Sequence, residues 1–267
     1  MGAEQSPNPR SCVVIGGGLA GLAAACALAD RGWQVTILEK RRWLGGRASS
    51  FVDPTVGSPV DLGQHVLMRC FTAYLSFLER LGIKGSIFLQ PRLWVPLVDA
   101  RTGRRGVLFS QPWLPPPLHL LASFLAYPHL SLAEKVRAIR GILAAQAVNH
   151  AHRPGELDGI TFQQWLHQHG QLRSVIQRLW EPIILGTLNA LPAQVSASVG
   201  IMVVQEALLA GPHSADMGWP KAPLSSLLEG AVQRYLHQRG GRVCTGAPVM
   251  HFTWDGECVR GVMFGNG

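Results

Sequence analysis

Residues 11–15, Ser-Cys-Val-Val-Ile, form a short apolar run that breaks into Gly16-Gly17-Gly18-Leu19-Ala20-Gly21. An apolar run ending in a glycine cluster reads as a buried parallel strand. The Ala- and Leu-rich stretch from Leu19 to Arg31 ends at Gly32, as a helix with a glycine stop does. Residues 34–38 are a second apolar strand, closed by Glu39. The three pieces predict a βαβ unit of about 30 residues with a G-x-G-x-x-G first turn. Gly16 makes the tight turn, Gly18 lets a pyrophosphate approach the backbone, and Gly21 lets the helix pack closely on the strand. The helix N-terminus adds free N–H groups and the positive end of a dipole for phosphates. Glu39 stands about 20 residues beyond the first glycine, where a carboxylate accepts hydrogen bonds from ribose hydroxyls. The predicted fold is therefore α/β, with a Rossmann-like dinucleotide-binding domain.

Composition narrows the remainder. Hydrophobic residues make up 47% and charged residues 15% of the 267, which supplies a core and excludes a disordered or collagen-like chain. The 24 Lys and Arg against 16 Asp and Glu give a net charge of +8. That charge does not cluster as nucleic-acid binding requires, so no nucleic-acid partner is expected. The five cysteines are scattered, with no C-x-x-C pair, so neither a disulfide framework nor a structural metal site is expected, and a cytoplasmic setting is. Residues 106–133 and 182–205 carry no Asp, Glu, Lys or Arg, yet prolines and polar residues interrupt both, which argues against membrane-crossing helices.

Further along, residues 71–81 predict a helix, and residues 86–110 predict strands around a turn at Ala100–Gly103. Ser131-x-x-Glu134 and Thr161-x-x-Gln164 are capping boxes. The helix after Ser131 is expected to bury Leu132, Val136, Ile139 and Leu143. Leu224, Leu228, Ala231 and Tyr235 mark another amphipathic helix, and 242–264 alternates as strands do. Gly265-Asn266-Gly267 reads as a hairpin turn with no return strand after it.

Beyond Glu39 the pattern continues through Leu44, Gly45-Gly46-Arg47, Gly57 and Asp61-x-Gly63. This spacing resembles the glycine-doublet signature of FAD-dependent amine oxidases, protoporphyrinogen oxidases and carotenoid desaturases. Within that superfamily, Asp61–Leu67, Arg178–Pro182 with Leu188-Asn189, and Ala215–Gly218 with Pro220 to Leu224 resemble the hydroxysqualene dehydroxylase family. Leu62 departs from the Asn usual there.

The resemblance implies FAD as cofactor, with Gly46 and Arg47 at its phosphates, the Gly63-Gln64-His65 turn near the flavin ring, and Val249 at the adenine. It implies a discontinuous FAD-binding domain over 1–90 and 212–267, interleaved with a mainly helical substrate domain over 91–211. The implied reaction is reductive removal of a hydroxyl from an isoprenoid alcohol. Desaturation of a carotenoid and oxidation of an amine are the alternatives within the enzyme class. Members of the family continue well beyond the position of Gly267, which implies a further reading: a truncated FAD-binding module or one piece of a split flavoprotein, inactive alone.

Loss of a hydroxyl needs a proton donor, and Glu181 and Asp216 are candidates because each sits in an otherwise uncharged stretch of sequence. A structural ion pair or helix cap is the competing role for both. His65 is a third candidate, for positioning flavin or substrate, beside a plain hydrogen-bonded role. Trp165 and Trp180 offer π faces to developing positive charge, or simply fill the core. An isoprenoid substrate implies loading from a bilayer. The uncharged segment 112–130, followed by Lys135, Arg137 and Arg140, suits a peripheral contact with anionic lipid as well as it suits a buried helix pair.

Overall fold

The computed structural model describes residues 10–63, 65–149 and 155–265. The chain divides into two compact units: Met1–Val66 with Thr72–Phe88 and Trp219–Gly267, and Leu67–Phe71 with Leu89–Gly218. The segments Leu67–Phe71, 89–90 and 212–218 thus fall in the second unit, where the division at 90/91 and 211/212 assigns them to the first.

In the first unit, the strands Ser11–Ile15 and Gln34–Glu39 run parallel, paired from Ser11↔Gln34 to Ile15↔Leu38. The helix Leu19–Ala29 connects them. Arg242–Thr245 pairs parallel on the other side of Gln34–Glu39, which makes the second strand the central one. Its side chains Val35, Ile37, Leu38 and Glu39 are all buried, as a central strand requires. Asp30, the C-cap of the Leu19–Ala29 helix, accepts a 2.5 Å hydrogen bond from the Tyr235 hydroxyl and a 3.0 Å one from Arg239 Nε. Arg80 Nε lies 3.4 Å from its other oxygen. One carboxylate therefore links that helix to Thr72–Arg80 and to Leu224–His237. Burial, with Asp30 adding to it, pushes the Tyr235 phenol up to about 12.

The Leu224–His237 helix buries Leu224, Leu228, Ala231 and Tyr235, the face its periodicity marks. No side chain of its own caps it. The cap comes from the antiparallel ribbon Ser50–Asp53 and Ser58–Asp61: Leu224 N donates to Asp61 Oδ1 at 3.0 Å, and Ser225 N donates to Ser50 Oγ at 3.2 Å. Strands Val249–Trp254 and Val259–Phe264 form a second antiparallel ribbon, and Asn266 and Gly267 of the expected turn lie outside the described residues.

The second unit is mainly helical around a core that includes Phe162, Trp165, Trp180, Ile184 and Ile201. Both capping boxes form in full, at Ser131 with Glu134 and at Thr161 with Gln164. The Leu132–Ala147 helix corrects its expected orientation. Its buried residues are Ala138, Gly141 and Ala145, while Leu132 is 75% exposed and Leu143 52%. Small residues win the inward face because a backbone can come closer to its neighbours than a leucine ridge allows. The uncharged stretch 106–133 resolves into the strand Arg105–Phe109, a short 3₁₀ turn at Leu118–Leu120 and the helix Leu121–Ala126. No helix among the described residues is long and apolar enough to cross a membrane.

Candidate functional site

The first turn of the parallel sheet builds a cleft of about 530 Å³ lined by Gly18, Leu19, Glu39, Gly46 and Arg47 among others. Gly21 sits where any side chain would collide: a Cβ there would stand 2.0 Å from the Gly16 carbonyl oxygen. That close approach presses the helix onto the strand behind the loop. At Gly18, the N-cap of the Leu19–Ala29 helix, a Cβ would meet nothing within 4 Å, and no side chain caps the helix end. The N-terminus of that helix thus borders the cleft without a side-chain cap, which suits a phosphate.

Glu39 braces this loop as well as lining it. Gly17 N donates to Oε2 at 2.6 Å, and Arg41 N donates to Oε1 at 2.8 Å. The second loop docks by backbone: Gly45 N donates to Gly17 O at 2.8 Å, and Gly18 and Gly45 form an isolated parallel bridge. Gly46 has φ +64°, and a Cβ on it would stand 3.1 Å from Gly18 Cα. Only glycine fits there, which is why the doublet follows the first loop. Arg47 is exposed and makes no hydrogen bond or ion pair among the described residues, so its guanidinium is free for an anion. Gly246 N donates to Arg41 O and Ala247 N to Glu39 O, and these bonds carry the chain past Glu39 to Val249, the half-buried first residue of its ribbon. The uncapped helix end, the free arginine and the buried acid fit the ADP half of a dinucleotide.

Gly63 is exposed, Gln64 lies outside the described residues, and His65 Nε2 is buried without a hydrogen-bond partner. Asp61 has a role the glycine signature conceals. Its Oδ1 accepts from Ser50 Oγ at 2.6 Å and from the helix amide of Leu224, so it joins the glycine-rich segment to a helix far along the chain.

The two candidate carboxylates, Glu181 and Asp216, occupy different settings. Glu181 opens the helix Glu181–Leu188 and borders a surface cleft with Asp99, Arg101 and Arg178. Asp216 is fully buried, and its uncharged sequence neighbourhood is misleading. Arg69 Nε donates to its Oδ2 at 3.0 Å and His213 Nδ1 lies 2.7 Å from the same oxygen. Arg69 N also donates to Asp216 O, beside the paired residues Met68↔Met217 and Leu67↔Gly218. Asp216 Oδ1 has no hydrogen-bond partner. His119, almost fully buried, also carries an unpartnered Nδ1, and burial pushes its imidazole down, with Asp216 opposing and His213 adding to the shift. Sequence reasoning missed both Arg69 and His119. Arg69 is separated from its partner by 147 positions, and His119 sits in a proline-rich loop without periodicity.

A cavity of about 230 Å³ lies in the same unit, and no charged side chain lines it. Its one hydroxyl, Ser123, is engaged, accepting from Phe109 N at 2.9 Å and lying 3.4 Å from Val107 O. Leu118, Leu121, Ile139 and Leu143 on its wall are exposed, whereas Leu179 and Trp180 are buried. The cavity therefore runs from an apolar mouth to an apolar floor. Trp180 borders it; Trp165 stacks on Phe162 in the core with centroids 5.9 Å apart.

Residues 19–266 match the family model described as flavin containing amine oxidoreductase. Zeta-carotene desaturase of Solanum lycopersicum is 28% identical over 239 residues, covering 86% of this chain and 40% of that protein. Hydroxysqualene dehydroxylase of Sinorhizobium fredii is 26% identical over 263 residues, covering 97% of this chain and 58% of that protein. An oxidoreductase from Methanosarcina mazei shares the fold, with a TM-score of 0.67 at 18% identity over 96% of this chain and 56% of that one. The chain thus spans about half the length of the curated relatives it matches. A flavin family matched over Gly21, Glu39, Gly46 and Arg47 makes the dinucleotide FAD, and the chain belongs to the flavin containing amine oxidoreductases.

Proposed function

We propose that the protein is an FAD-dependent oxidoreductase acting on an isoprenoid, most specifically in the reductive dehydroxylation of hydroxysqualene to squalene. The observation that carries the reading is the uncharged cavity of the second unit, whose only hydroxyl is already engaged. Such a cavity accepts a hydrocarbon arm at about 25 cal/mol per Å² of apolar surface removed from water. It offers an ammonium group no counter-charge, which disfavours amine oxidation. Carotenoid desaturation is the second reading, favoured by the 28% identity to zeta-carotene desaturase.

FAD, when bound and reduced, supplies a hydride; with one proton, the departing hydroxyl leaves as water and the carbon gains hydrogen. The chain's own residues have the remaining tasks. The Gly16–Gly21 loop and Arg47 hold the phosphates, Glu39 holds the ribose, and Val249 meets the adenine. His65, with its buried unpartnered Nε2, and Gly63 approach the flavin ring. Asp216 Oδ1 and His119 Nδ1 are buried atoms that a hydroxyl would satisfy, which favours Asp216 over Glu181 as the carboxylate that accepts from and positions the departing hydroxyl. The exposed apolar mouth, with Arg137 and Arg140 exposed on the same helix, favours loading from an anionic bilayer surface.

The test is a product assay of the flavin-loaded protein with dithionite as reductant. Squalene from hydroxysqualene is expected. An aldehyde from a diamine, with no isoprenoid turnover, would refute the proposal.

A further inference from the structure

Trp180 differs from its neighbours around the apolar cavity. It has no exposed surface, while the residues of the mouth are roughly half exposed. Behind it stands Phe162, edge to face at 6.0 Å and 89°, which does not line the cavity. The indole is therefore a partition between the cavity and the aromatic core.

Its orientation is held at three points. Trp180 Nε1 donates to Gln171 Oε1 at 3.0 Å, a buried hydrogen bond. The Gln171 amide nitrogen in turn donates to Arg137 O at 2.7 Å, which ties the pair to the Leu132–Ala147 helix. That helix passes the pair at Gly141, where a Cβ would stand 2.8 Å from the Gln171 amide and 3.1 Å from Trp180 Cζ2. The backbone supporting Trp180 is a π-helical turn, Ile176–Trp180, and a second one, Val204–Leu209, supplies Leu208 and Leu209 to the same cavity. An extra residue in a helical turn re-aims the side chains that follow it, and such turns recur at functional sites.

We infer that Trp180, fixed by Gln171 and seated on Gly141, is the floor that sets how long an isoprenoid arm the cavity accepts. The inference rests on the reading of this cavity as the isoprenoid site. Each isoprene unit that enters gains affinity until the chain meets the indole, and units beyond that point gain nothing. Two substitutions should move the cut-off in opposite directions. Trp180→Phe removes one ring and the Gln171 bond, which deepens the floor towards Phe162. Gly141→Ala adds a methyl against Gln171 and Trp180, which pushes the indole into the cavity. Val199→Ala, on the Ala197–Val203 helix and not on the cavity wall, is the control and should leave the cut-off in place.

The experiment titrates the full chain and its variants with geraniol, farnesol, geranylgeraniol and squalene by calorimetry, with circular dichroism reporting the fold. In Trp180→Phe, the affinity ratio of the two probes bracketing the wild-type cut-off should change by ~10-fold or more in favour of the longer. In Gly141→Ala it should change in favour of the shorter. Graded binding whose cut-off stays fixed in a folded variant overturns this inference and leaves the isoprenoid reading intact. Absence of saturable binding by the wild type overturns both.

Discussion

Replacing Glu39 with Ala tests the cleft at its most engaged side chain. The carboxylate is 7% exposed and accepts two backbone hydrogen bonds, from Gly17 N at 2.6 Å and Arg41 N at 2.8 Å. Hydrogen bonds to a charged group contribute about 1.5–3 kcal/mol each, and water can replace the acceptor only where it reaches the donor. Gly17 N is buried and Arg41 N only partly so, hence the larger share of the loss falls on the glycine loop. The expected cost to the flavin-free protein is about 2–4 kcal/mol, read as a drop in the urea midpoint at unchanged slope. Glu39→Gln keeps one acceptor and should cost about half as much. FAD affinity measured by calorimetry should fall further in Glu39→Ala, by about 1–3 kcal/mol for the unpaired ribose hydroxyls. A Glu39→Ala protein with the wild-type urea midpoint and wild-type FAD affinity would refute the bracing and the binding roles together.

Asp216→Asn should abolish dehydroxylation and lower stability, since the partly exposed Arg69 would lose its buried counter-charge, while Glu181→Gln should leave turnover near wild type; both are read by product formation and urea titration. Burial holds the His119 imidazole below its ordinary 6.5, so the unfolded chain takes up the proton first as pH falls. Stability should therefore drop as pH falls below about 6.5, and His119→Asn should flatten that limb of a Tm-against-pH profile. Binding to anionic liposomes should weaken with added salt and again in Arg137→Ala/Arg140→Ala, as sedimentation would report.

The βαβ unit was legible because its signals are local: an apolar run, a glycine loop and an acid lie within one stretch of chain. The capping boxes at Ser131 and Thr161 were legible for the same reason. The Leu132–Ala147 helix misled because periodicity reports two faces, one large and apolar, one small, without saying which a neighbour covers. Gly141 takes the inner face only because Gln171 and Trp180 come from elsewhere to meet it. Asp216 misled in the same way. Its sequence neighbours carry no charge, and Arg69 reaches it only through strand pairing across 147 positions. Asp61 looked like part of a nucleotide signature, and the ribbon geometry that makes it a helix cap has no local mark.

An FAD-dependent dehydroxylase must pass the flavin's electrons to an isoprenoid, and one anaerobic half-reaction tests whether this protein does. FAD bound to the protein is photoreduced, mixed with hydroxysqualene, and followed by flavin absorbance and product extraction. The predicted result is reoxidation of the flavin with one squalene formed per flavin. Flavin that stays reduced with hydroxysqualene, yet when oxidised is reduced by an amine, would contradict the account.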